Sequence, residues 1–173
     1  MQDSKGDQDR LWFDLLLIIL VGMVIGVLGA FAANGFVIGA KTLFELIPVS
    51  PEQNWWQNFS VHWLILVIAA GFILALKRLN GIARWHGPAD TILSAQVPKE
   101  PFQTRVGMLS TLAAFTSASA GASVGQYGPV VHFGASVASF IRTMIPTRIK
   151  PEVYLAAGVA AAISAGFNAP IAG

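Results

Sequence analysis

Polar and apolar positions alternate along this chain in blocks rather than in a fine period. A polar stretch, MQDSKGDQDR, gives way at Leu11 to an apolar run, and from Leu11 to Ala33 the only charge among 23 residues is Asp14. A spanning helix needs roughly 20 apolar residues, whereas the core of a cleavable signal is about 7–15. The pattern therefore predicts a retained membrane helix over 11–47, ended by Pro48, behind a polar tail at 1–10. A second span is predicted over 62–79, entered at His62 or Trp63 and closed by Lys77 and Arg78. Past Arg105 the apolar stretches shorten and fill with glycine, alanine and serine, which predicts small-residue helices near 105–124 and 151–167 and a short helix near 129–141.

Composition agrees with a bilayer setting. Of 173 residues, 54% are hydrophobic and 12% are charged, where a soluble domain carries about a quarter charged. Eleven basic and nine acidic residues leave a net charge of +2 and no nucleic-acid face. The absence of cysteine excludes disulfides and thiolate sites. The segment PVSPEQNWWQNFS has no basic residue, while Lys77, Arg78, Arg84, Lys99 and Arg105 follow the second span. Basic residues collect on the cytoplasmic side, so the N-terminus and the stretch after the second span are expected inside. Arg142, Arg148 and Lys150 then fall outside, against a tendency that is weak for late segments.

Lipid gives helices no hydrophobic reason to associate, so they meet by close backbone approach over small residues. Gly22/Gly26, Gly121/Gly125 and Gly158/Ala162/Gly166 have that four-residue spacing. Proline suits the first position of a helix, where its missing donor costs nothing. Three junctions read this way: Trp85-His86-Gly87-Pro88 opens a short helix near 88–97, Gly125-Gln126-Tyr127-Gly128-Pro129 opens another, and Phe167-Asn168-Ala169-Pro170 opens a third with Asn168 as N-cap. Irregular backbone survives in a membrane only where protein or a wet cavity shields it. A helix start there offers free N–H groups and the positive end of the macrodipole, an anion site without a cationic side chain. The candidate anion-binding residues are His86, Gly87 and Pro88 at the first junction and Gly125, Gln126, Tyr127, Gly128, Pro129, Val130 and Val131 at the second.

Gly121-Ala122-Ser123-Val124-Gly125 also fits the pattern of a hydrolase nucleophile elbow, which requires a preceding strand and a later acid and histidine. Ser123 instead follows a helical run of small residues, with only Glu152 and His132 downstream, so no enzymatic activity is expected. His62, His86 and His132 sit in separate segments without metal-ligand pairing; His132 reads as a hydrogen-bonded packing residue. His86, if protonated near its usual pKa of about 6.5, would make conduction rise in acid. No metal or cofactor is expected.

The stretch Gly125 to Gly134, GQYGPVVHFG, resembles the Gly-Lys/Arg-Glu-Gly-Pro segment of the CLC family of voltage-gated chloride channels and chloride/proton exchangers. Residues 156–173, AAGVAAAISAGFNAPIAG, are similar to that family's small-residue helix ending in Phe-Asn-Ala-Pro-Leu-Ala-Gly. The likeness covers about residues 11–173. It implies an all-α, polytopic integral membrane fold of broken and re-entrant helices, amounting to most of the first of two inverted repeats. It also implies chloride as transported ligand, a homodimer, and a plasma or bacterial inner membrane location. Two positions depart from the family pattern. Tyr127 stands where the family has its gating glutamate, and His86 stands in place of the serine that touches chloride, with the proline one residue early. A phenol with a pKa near 10 stays neutral, so conduction is expected to be passive, with Tyr127 as gate. The second repeat, or a completing chain, is the implied partner together with the lipid bilayer. The alternative from another class is a nonconducting membrane subunit that binds partner chains through its small-residue faces.

Overall fold

The structure is a computed structural model and describes residues 3–48, 54–97, 101–123, 125, 127–145 and 149–169. The described residues form six α-helices: α1 (Asp3–Glu45), α2 (Trp55–Leu79), α3 (Pro88–Gln96), α4 (Thr104–Ser119), α5 (Tyr127–Met144) and α6 (Pro151–Gly166). The fold is all-α.

Two helices have the length and composition of membrane spans, over Leu15–Glu45 and Trp55–Leu79. Both leave most of their apolar side chains exposed, Phe31, Ile38, Leu64 and Ile68 among them. An apolar surface of that extent is stable only against lipid or protein. Helix α1 runs for 43 residues, about 64 Å at 1.5 Å per residue, and starts inside the polar stretch, not at its end. Helix α2 likewise starts seven residues before His62, so its tryptophans lie on its first turns. Trp55 and Trp56 stack there with ring centroids 3.8 Å apart. The polar residues that mask this start satisfy themselves on the helix: Ser60 Oγ donates to Trp56 O at 2.7 Å, and His62 Nδ1 donates to Asn58 O at 2.8 Å.

The core is built on α5, which packs against α6, α1, α4 and α3, while α2 lies along α4 and meets α1 through Phe44 and His62, ring centroids 6.2 Å apart. Its closest approach is to α6. A Cβ on Gly134 would collide with Gly158 O and lie 2.6 Å from the Ala162 Cβ; one on Gly158 would collide with Gly134 O and lie 2.6 Å from the Ala138 Cβ. The Gly158/Ala162 pair is thus a packing face, and its counterpart is Gly134/Ala138. Helix α1 covers this pair, with Val21 and Ile25 against Ala138, Ile141 and Tyr154 at one end and Ala33 and Phe36 against Val130 and Ala162 at the other. The other two small-residue pairs differ from expectation. Gly22 and Gly26 face open space within the chain, and Gly121 and Gly125 lie outside any helix.

Three helices stop on the same device. The N–H of Ile82 reaches Lys77 O (3.0 Å), that of Ala122 reaches Ser117 O (3.0 Å), and that of Ala169 reaches Ser164 O (2.9 Å). These are the six-residue closures of a Schellman motif, which needs a left-handed residue just past the helix. Gly81, Gly121 and Asn168 occupy that position with φ of 62°, 87° and 51°. Helix α4 accordingly ends at Ser119, short of the expected 124. Asn168 terminates α6 and is not the N-cap expected of it, since an N-cap has extended backbone. A helix opening at Pro170 falls outside the described residues.

Candidate functional site

The three junctions meet. A Cβ on Gly128 would lie 3.6 Å from Pro88 Cγ, and one on Gly166 would lie 3.7 Å from Tyr127 Cδ1 and 3.8 Å from Val130 Cγ1. The Tyr127 ring lies flat on Phe167, centroids 4.3 Å apart and planes 9° apart. The start of α3, the start of α5 and the end of α6 therefore share one small region, although they are separated by about 40 residues in each direction along the chain.

At the α5 end the helix begins at Tyr127, so Pro129 is its third residue and not its first. Proline disfavours helical backbone in the residue before it, largely through that residue's Cβ. Gly128 has none, and this lets the helix start two residues early. Helix geometry leaves the Tyr127 and Gly128 N–H groups without an acceptor in their own helix, and Pro129 contributes no donor. Tyr127 is exposed, Gly128, Pro129 and Val131 are half-buried, and Val130 is fully buried in the core. Gly125 is exposed with open space where its Cβ would be. Gln126 lies outside the described residues.

The α3 end differs from an open helix start. The His86 N–H donates to Ser110 Oγ at 2.9 Å and the Gly87 N–H donates to Asp90 Oδ2 at 2.8 Å. Pro88 has no N–H, so no backbone donor remains free on these three residues. Asp90 also accepts a bond from Arg84. Burial raises the Asp90 carboxyl, but the Gly87 N–H, the Arg84 guanidinium and His86 outweigh it and hold the group below the ordinary value of 3.8. A carboxylate on the first turn of α3 is the electrostatic complement of that helix end.

One buried side-chain bond ties the two helices together behind the site. Thr91 Oγ1 and His132 Nδ1 are 2.8 Å apart, and both residues are buried. The Phe102 ring covers the imidazole, centroids 5.4 Å apart, and His132 Nε2 has no partner among the described residues. Sequence reasoning found Tyr127 and His132 but missed Thr91, Ser110 and the role of Phe167. The only available signal was that Phe167 heads the Phe-Asn-Ala-Pro stretch; nothing in the sequence marks Thr91 or Ser110. Among the described residues no cluster of side chains has the makings of a metal site.

Residues 68–173 match the family model described as voltage gated chloride channel. The chain is similar to the voltage-gated ClC-type chloride channel ClcB of Escherichia coli (strain K12 / DH10B) and of Shigella boydii serotype 18. Identity to each is 26% over 164 residues, covering 90% of this chain and 39% of the relative. The chain thus spans about two fifths of the length of the relatives it matches. No solved structure matches it. With the family model covering more than half the chain, and the proline junctions that carried the resemblance gathered at one place, the chain belongs to the voltage gated chloride channel family, CLC.

Proposed function

We propose that the chain is the first-repeat part of a chloride-conducting pore, in which the anion rests against the N-terminal end of α5. The observation that carries this reading is the junction itself: a helix start whose Tyr127 and Gly128 amides have no acceptor in their own helix lies beside Pro88 of α3 and Phe167 at the end of α6. No lysine or arginine stands among residues 125–131. Partial charges of this kind bind an anion loosely enough to release it. In this reading His86 and Gly87, whose amides already have partners, shape the site, and the direct contacts are at Tyr127 and Gly128.

Tyr127 makes passage passive. A phenol donates a hydrogen bond to the anion and carries no exchangeable charge near neutral pH, so a chloride gradient does not drive protons. Its ring, half out of the protein and held by Phe167, is the gate. The pore is completed by a second repeat and assembles as a homodimer in a plasma or bacterial inner membrane, with the N-terminus cytoplasmic. The test is chloride efflux from liposomes holding the complete assembly, alongside bromide difference density at residues 127–131. Efflux coupled to uphill proton movement ends the passive reading; bromide absent from that helix start ends the site assignment.

A second reading, a nonconducting subunit that docks on partner chains, is favoured by one feature: Gly22, Gly26 and Gly35 all face open space along α1. Crosslinking from cysteines placed at those positions to another chain, with no efflux from the assembly, is the outcome that selects it.

A further inference from the structure

Just past the basic end of α2 lies a second polar feature, apart from the junction site. It is a cavity of about 480 Å³ bounded by the turn after α2, the approach to α3 and the first turns of α4. At roughly 30 Å³ per water this is room for a polar headgroup, far more than a halide needs. Its polar wall is Arg84, Asp90, Arg105, Asn80, Gln103, Ser94 and His86.

Three of its properties point the same way. Arg84 pairs with Asp90, so that carboxylate is spent. Arg105 bonds the neutral Asn80 Oδ1, at 3.1 Å, and among the described residues its guanidinium has no carboxylate partner. Helix α4 opens on the same wall, and its N-cap Gln103 makes no side-chain capping bond, so the N-cap side chain does not cover the positive end of that helix. A guanidinium fork and a helix start both suit a tetrahedral oxyanion with several acceptor oxygens. The place suits it too: Lys77 and Arg78 close the α2 span one turn away, and basic pockets between helices at a membrane boundary collect phospholipid headgroups.

We propose that the Arg84–Arg105 cavity binds a phosphate ester, the headgroup of an anionic phospholipid or a free phosphate compound. The site stands whether or not the chain conducts chloride. It is tested on the full chain in detergent by native mass spectrometry after exchange into phosphatidylglycerol or phosphatidylcholine, with glycerol phosphate, inorganic phosphate and chloride as competitors. One phosphatidylglycerol retained per chain, with no phosphatidylcholine, assigns the lipid source; glycerol phosphate or inorganic phosphate binding without lipid assigns the free one. Either ligand is lost about tenfold in Arg105→Ala and only partly recovered in Arg105→Lys, which keeps the charge but not the fork. Gln103→Glu, which sets a negative charge on the same exposed wall, lowers retention as well and guards against a folding defect peculiar to one variant. Retention unchanged in Arg105→Ala and Gln103→Glu, an equal loss in Arg142→Ala outside the cavity, displacement by chloride as readily as by phosphate, or no retention of any phosphate compound each overturns the proposal.

Discussion

Tyr127 and Phe167, forty residues apart in sequence, stack face to face with their ring planes 9° apart. Such an aromatic pair adds about 0.5–1.5 kcal/mol beyond the area it buries, enough to fix the orientation of the tyrosine that stands at the α5 start. Replacing Tyr127 with glutamate puts a titrating group there. The wild-type assembly is expected to conduct chloride with no pH dependence between 5 and 8 that arises at the α5 start. In Tyr127→Glu the carboxylate is charged above about pH 4.3, competes with the anion for the Tyr127 and Gly128 amides, and makes efflux rise as pH falls. Parallel efflux curves across that range for the two proteins are the measurement; a flat curve for the variant contradicts the site.

Gly134 and Gly158 leave no space for even a methyl group where α5 crosses α6. Gly158→Ala is expected to lower stability by the upper end of the ~1–3 kcal/mol typical of overpacking. Gly22→Ala, facing open space on α1, is expected to be neutral or to stabilise by up to ~1 kcal/mol through helix propensity. Thermal unfolding of the two variants in the same detergent separates them.

Thr91→Val removes the hydroxyl that meets His132 and leaves the buried Nδ1 without a partner. An unsatisfied buried polar group costs about 1–3 kcal/mol, so the variant is expected to melt earlier and to loosen α3 from α5. His132→Phe, which removes both unmet nitrogens, should recover part of the loss in the Thr91→Val background. A double-mutant cycle on unfolding gives the coupling, and additive losses would show that the bond contributes nothing.

Gly121 holds φ of 87°, and a Cβ there would meet the Phe44 ring at 2.7 Å. Gly121→Ala is therefore expected to cost more than the ~1–2 kcal/mol of left-handed backbone alone. Asn168→Gly, at the same position of the α6 cap with φ of 51°, is expected to be neutral or slightly stabilising. Chemical denaturation of both variants checks the contrast.

The all-α architecture was legible because lipid demands long apolar runs and small residues reveal crowded crossings. Boundaries were less so. The start of α2 was hidden by Gln57, Asn58 and Ser60, which read as loop until Ser60 is seen bonding back to its own helix. Pro129 suggested the first residue of a helix, yet Gly128 lets two residues precede it; Pro151, which does open α6, drew no notice. Within the site, the α5 junction could be found from its glycines and proline. The loss of the His86 amide to Ser110 could not, because it depends on a contact between residues 24 apart whose pairing no local pattern encodes, whereas the Gly87–Asp90 bond is a local capping box three residues long.

The Gly134–Gly158 crossing also limits how the protein can open. Two helices that share backbone contact at their midpoints form a single stiff lever, so the amide-bearing tip of α5 and the terminus of α6 beside it travel together or not at all. If the α5 start is the anion site proposed above, a path past that tip is opened by rotation of the phenol away from Phe167 rather than by movement of the helices.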